Sequence, residues 1–138
     1  MDENYVLALR SYKIKRQEFE NISHDLSTAK IISAVYTARI SRFEGEEKQE
    51  HIEKAKQKQE EYQPLISKYE AIYEECGNLL RTAFYAAPSS RTKQDISNTI
   101  NSFESENIDN QAACCHLRNF LETNFDEPNS TEEEPANN

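Results

Sequence analysis

The 138-residue chain has room for one domain, and with apolar residues at 36% it can build only a modest core. Two glycines and four prolines are too few for the tight turns of an all-β sandwich or barrel, which leaves long helices as the architecture. A net charge of −9 opposes direct binding to nucleic acid or anionic lipid, and no apolar run approaches the roughly 20 residues of a membrane span.

Leu, Ile, Val and Phe together form about a fifth of the chain, near the border at which a charged sequence stops folding unaided, so the seven tyrosines must contribute to the core. Met1-Asp2-Glu3-Asn4 lacks the basic start of an export signal, and three cysteines without framework spacing suit a reducing compartment; the expectation is a cytoplasmic protein. Residues 87–138 carry three basic and ten acidic groups, so the negative charge is concentrated toward the C-terminus.

From Tyr5 to Phe43 a seven-residue repeat places Tyr5, Tyr12, Phe19, Leu26 and Ile40 in one position and Ala8, Ile22, Ala29, Tyr36 and Phe43 in another. Only Lys15 and Ser33 interrupt it. Leu9, Ile32 and Val35 widen the stripe, which suits a bundled helix over residues 3–43, roughly 60 Å long at ~1.5 Å per residue.

Residues 44–61 hold Ile52 and Ala55 as their only apolar groups, with eleven of eighteen positions charged, so this stretch should be solvated. Gly45 followed by Glu46 and Glu47 has the form of a helix stop and a new acidic first turn. Phase agrees: the later stripe through Ile52, Ile66, Tyr73 and Leu80 is out of register with Ile40, so the chain should reverse at Gly45 and lay both stripes together. A dense face from Tyr62 to Phe84 predicts a second helix over 46–86, kinked near Pro64, where Gly77 would admit close approach of the first helix.

Ala86-Ala87-Pro88-Ser89-Ser90 marks a connection, after which Thr92 and Asp95 have capping-box spacing before Ile96, Ile100 and Phe103. Asn107-Ile108-Asp109-Asn110 can cap another start, ahead of Ala113, Leu117, Phe120 and Leu121. The expected fold is all-α: a long antiparallel hairpin, two short helices over 91–105 and 109–124 completing one domain of residues 1–125, and an acidic disordered tail over 126–138.

Candidate chemistry is sparse. Cys76, Cys114, Cys115 and His116 are of ligand type, but adjacent helical residues point about 100° apart and no CxxC spacing is present, so burial of the cysteines is expected over a metal site. His24, His51 and His116 share no motif, and no Gly-rich loop offers a phosphate or oxyanion cradle; neither enzyme nor cofactor is expected. The basic run Arg10-Ser11-Tyr12-Lys13-Ile14-Lys15-Arg16 fans around a helix and should pair with the protein's own acids or with those of a second copy.

The expected function is non-enzymatic protein binding, as an adaptor, chaperone-like or regulatory accessory protein. An apolar, tyrosine-rich surface of Tyr12, Phe19, Tyr36, Tyr62, Tyr69, Tyr73, Leu79 and Phe84 would take a partner helix. An acidic mimic of nucleic acid that blocks a DNA- or RNA-binding protein is an alternative, and a coiled-coil structural subunit, including a homodimer, is another.

Overall fold

A computed structural model describes residues 3–126, which form three helices: α1 (Glu3–Arg42), α2 (Gly45–Ala86) and α3 (Ser90–Glu122). The acidic tail expected over 126–138 lies outside the described residues apart from Asp126. No helix among the described residues is long and apolar enough to cross a membrane.

α1 follows the seven-residue repeat. Its inward positions carry Ala8, Tyr12, Phe19, Ile22, Leu26 and Ala29, all buried, while Tyr5, Tyr36 and Ile40 are partly buried at the ends. Ser33, which breaks the apolar pattern, is fully buried; its hydroxyl donates to the Lys30 carbonyl at 2.9 Å, so no polar atom is stranded. Val35 does not widen the core stripe as expected. It sits on the opposite side of α1 and is exposed.

The reversal falls at Gly45, whose φ of +67° is a left-handed conformation that a side chain would oppose. Phe43 folds over the turn and stacks on His51 with ring centroids 4.9 Å apart. Ile52 and Ala55, the two apolar groups of the charged stretch, are both buried against α1. Lys15 reaches Glu75, Phe19 meets the Tyr69 ring and Tyr36 lies beside His51, so the arms run antiparallel in one continuous register.

α2 runs unbroken through Pro64, which is exposed and so leaves its missing N–H on the solvent side. Gly77 does not serve as a close-approach point. A Cβ built there meets only the Arg81 guanidinium of its own helix, at 3.5 Å, with no atom of α1 within 4 Å.

The largest departure from expectation is α3, one helix of 33 residues where two short ones were expected. Asn107 and Asn110, which resemble a cap in the sequence, are both buried in mid-helix. The Tyr69 hydroxyl donates to Asn107 Oδ1, and Asn110 Nδ2 donates to Ser23 Oγ at 2.7 Å, which donates in turn to the Phe19 carbonyl at 2.8 Å. Partners on α1 and α2 satisfy these amides, so they have no need to turn back on the local backbone and end the helix. The N-cap likewise differs from the Thr92–Asp95 box. Pro88 holds Ala87 extended, and Ser89 caps α3 by accepting the Thr92 N–H at 3.1 Å.

α3 lies antiparallel to α2 and parallel to α1, filling the groove along the hairpin. Its end is fixed by Gln59, which donates to the carbonyls of Phe120 and Thr123 at 2.8 Å each, and by the ion pair of Lys56 with Asp126 at 2.9 Å. Beyond that level α1 and α2 continue as a two-helix tip.

Candidate functional site

The residues expected to face a partner belong mostly to the protein's own interior. Tyr12, Phe19, Tyr62 and Tyr69 are buried, and Tyr36, Tyr73, Leu79 and Phe84 are partly buried against the core. What covers the cluster is α3, except at Tyr36, which lies on the two-helix tip beside His51. Phe103 inserts between the arms with its ring 4.6 Å from Phe19, stacks on Tyr73 at 5.5 Å with an interplanar angle of 9°, and meets the edge of Tyr12 at 6.3 Å. Further along, Phe120 covers Tyr62. A partner helix in this groove would have to displace α3, so these eight residues are not an open docking surface.

The hydroxyls of the cluster are also committed. Tyr73 donates to the Glu104 carboxylate at 2.7 Å, and Arg16 donates to the Tyr12 oxygen at 3.5 Å. Burial pushes the Tyr69 phenol up to about 12. A phenol so protonated is a fixed donor and not an acid–base group near neutral pH.

Two of the four basic residues in the α1 run, Lys15 and Arg16, pair across the helix interfaces. Lys15 pairs with Glu18 at 3.3 Å and with Glu75 of α2 at 3.1 Å, while Arg16 pairs with Glu20 at 3.2 Å and with Glu106 of α3 at 2.7 Å. The hydrogen bond to Glu75 is the main cause of the raised Lys15 pKa. Of the two expected uses of this run, pairing with the protein's own acids or with those of a second copy, Lys15 and Arg16 show the first.

The cysteines divide. Cys76 and Cys114 are buried in the core, where desolvation raises both thiols, Cys76 to about 11 despite the nearby charges of Arg16 and Lys15. Cys115 is exposed and His116 half-buried, so Cys114 and Cys115 diverge as adjacent helical residues must. Among the described residues no cluster of three or more His, Cys, Asp and Glu side chains is placed to hold a metal ion.

A shallow groove runs between α1 and α2 past His24, Asp25, Lys58, Glu61 and Tyr62. His24 and Asp25 are exposed, and Lys58 is taken up by Glu61 at 3.2 Å while lying 5.8 Å from the Tyr62 ring centroid. Nothing here brings a nucleophile and a base together. At the tip, His51 Nδ1 is buried and finds no hydrogen-bond partner among the described residues.

The feature missed by attention to the aromatic stripe lies on the other side of α1. Leu7, Ile14, Ile31 and Val35 are 51%, 66%, 63% and 40% exposed, unusual values for large aliphatic side chains on a helix whose inner face is well buried. Leu7, Ile14 and Val35 occupy one position of the seven-residue repeat, and Ile31 lies a helical turn from Val35. All four point away from α2 and α3. The sequence signal that could have found them is this shared phase, out of step with the core stripe.

Comparison with family models, curated proteins and solved structures finds no match to this chain.

Proposed function

We propose that the chain is a non-enzymatic protein-interaction module, an adaptor or accessory protein that presents the outer face of α1 to a partner helix. The observation that carries this reading is the alignment of Leu7, Ile14, Ile31 and Val35 along one exposed face. Single exposed aliphatics are ordinary, whereas several in one helical phase form a surface that association would remove from water. The closed interior supports the same view: the aromatic groove is filled by α3, and the other large apolar side chains exposed among the described residues, Tyr85 and Ile108, stand singly on α2 and α3.

An acidic mimic of nucleic acid gains less support, because Glu75, Glu106 and Glu70 are neutralised across the bundle by Lys15, Arg16 and Arg118. A coiled-coil subunit is favoured by the same outer face, and the two readings differ only in what lies on it.

Affinity capture with the full chain at native expression tests the proposal. Wild type should retain a stoichiometric protein partner when salt is raised, and Ile31→Asp should lose it, because apolar contact is weakly screened by ions. A partner kept by Ile31→Asp and released by salt would favour charge mimicry instead.

A further inference from the structure

The core of α1 uses two positions of the seven-residue repeat, one holding Tyr12, Phe19 and Leu26 and the other Ala8, Ile22 and Ala29. Two positions on the opposite side make a second seam of the same geometry. It runs the whole helix from Glu3 to Arg42, and every residue on it is exposed. We propose that this seam is closed by the same seam of a second copy of the chain, running antiparallel about a two-fold axis between Ile22 and Ser23. The proposal rests on the reading of this face as an interaction surface and names its occupant.

The ground is self-complementarity. In an antiparallel helix pair the seam residues meet in layers, and a two-fold axis requires each residue to suit its counterpart at equal distance beyond the centre. Ile14 then faces Ile31 of the second copy, and Leu7 faces Ala38. Val35 meets Arg10, whose aliphatic stem can cover it while the guanidinium reaches solvent. Nearer the axis, Asn21 faces His24 and Gln17 faces Thr28, polar residues with donors and acceptors for one another. At the ends Glu3 faces Arg42, opposite charges at the last layer.

The symmetry repeats each of these pairs, so apolar layers flank a polar centre and an ion pair closes each end. A parallel arrangement destroys the match, since Glu3, Arg10 and Arg42 would each stack on their own likeness. Of the three acids that flank the seam, Glu18 is already paired with Lys15 and Glu20 with Arg16, and the exposed Asp25 stands at the polar centre, not beside an apolar layer. Polar residues at a helix seam fix register at a cost in affinity, which is how a surface that must also meet water would be built.

Light scattering on the full chain, together with cysteine crosslinking in a Cys115→Ser background, tests the proposal; Cys76 and Cys114 are buried. The expected mass is about 32 kDa, twice the 16.0 kDa chain, falling to the single-chain value on dilution and in Ile31→Asp with an unchanged helical circular dichroism spectrum. Leu7→Cys mixed with Ala38→Cys should form a crosslinked pair on mild oxidation. Neither variant alone should do so, because each residue would lie about 46 Å from its own counterpart at ~1.5 Å per residue. Self-crosslinking of Leu7→Cys would overturn the antiparallel arrangement. A single-chain mass at every concentration would overturn the second copy as occupant; if a different protein is still captured by wild type and lost in Ile31→Asp, the interaction face itself stands, and if capture is indifferent to Ile31→Asp, both readings fall.

Discussion

The buried bond between Tyr69 and Asn107 offers the sharpest test of how α3 is held. Both residues are almost wholly removed from water, and the Tyr69 hydroxyl donates to the Asn107 amide oxygen across the α2–α3 interface. Tyr69→Phe keeps the ring and strands the amide oxygen. Asn107→Leu keeps the volume and strands the hydroxyl. Each single change should cost about 1–3 kcal/mol, the penalty for a buried polar group left without its partner. The double variant strands neither group and should cost no more than either single change, giving a coupling of at least about 1–3 kcal/mol. Urea denaturation followed by circular dichroism measures all four corners of the cycle, and melting temperatures should shift by roughly 3–5 °C for each kcal/mol. Additive single effects would show that the bond is not what couples these helices and would remove the physical account of the unbroken α3.

Other substitutions bear on the turn, α2 and the core. Gly77→Ala should stabilise the fold by about 1 kcal/mol, since the new methyl meets only the movable Arg81 side chain while the helix loses a glycine; a lower urea midpoint would contradict this. Gly45→Ala should destabilise by about 1–2 kcal/mol through the left-handed backbone alone, no atom lying within 4 Å of the added group, and Gly45→Asn should cost visibly less by the same measurement. Alkaline pH should unfold the protein by a definite route. Burial raises the Cys76 thiol from 9.0 to about 11 and the Tyr69 phenol from 10.0 to about 12, so the unfolded chain releases these protons first. Their contribution is therefore intact below pH 9 and fades between about pH 9 and 12, by up to about 3 kcal/mol for each group at ~1.4 kcal/mol per pH unit. Urea midpoints across that range should fall for wild type, and Cys76→Ala should lose less between pH 9 and 11.

The hairpin was legible because its signals agree at several levels. The repeat from Tyr5 to Phe43 gives the inner face of α1, a glycine stands where the apolar phase shifts, and acids follow it at the start of α2; the observed Gly45 conformation answers all three. α3 was legible only in part, because the sequence around Asn107 supports two structures. Asn and Asp favour helix starts when their side chains must bind the local backbone. In the bundle, Asn107 and Asn110 bind Tyr69 and Ser23 instead, partners 38 and 87 residues away, and no local pattern distinguishes an amide satisfied at that range from a cap. The same ambiguity displaced the N-cap: Ser89 and Thr92 are both hydroxyl residues near a helix start, and the extended Ala87 before Pro88 decides for Ser89.

Periodicity says which residues a helix turns inward but not which element meets them. Tyr12, Phe19, Tyr69 and Tyr73 have the same spacing whether they line an open groove or the inside of a three-helix bundle. The deciding property is the length of α3. Two short helices separated by a break at Asn107 would leave the groove partly open, whereas a continuous helix carries Phe103 onto Phe19 and Tyr73 and Phe120 onto Tyr62 along one axis. Misplacing one helix start therefore exchanges a binding surface for a core. The exposed aliphatics of α1 were in plain view but looked scattered, because on their face Leu7 and Ile14 are separated from Ile31 and Val35 by the polar residues Gln17, Asn21, His24 and Thr28. Their common phase acquires meaning only once α2 and α3 are known to occupy the other side of α1. With that side filled, a second copy or another partner can reach the helix only along the face where these four residues stand.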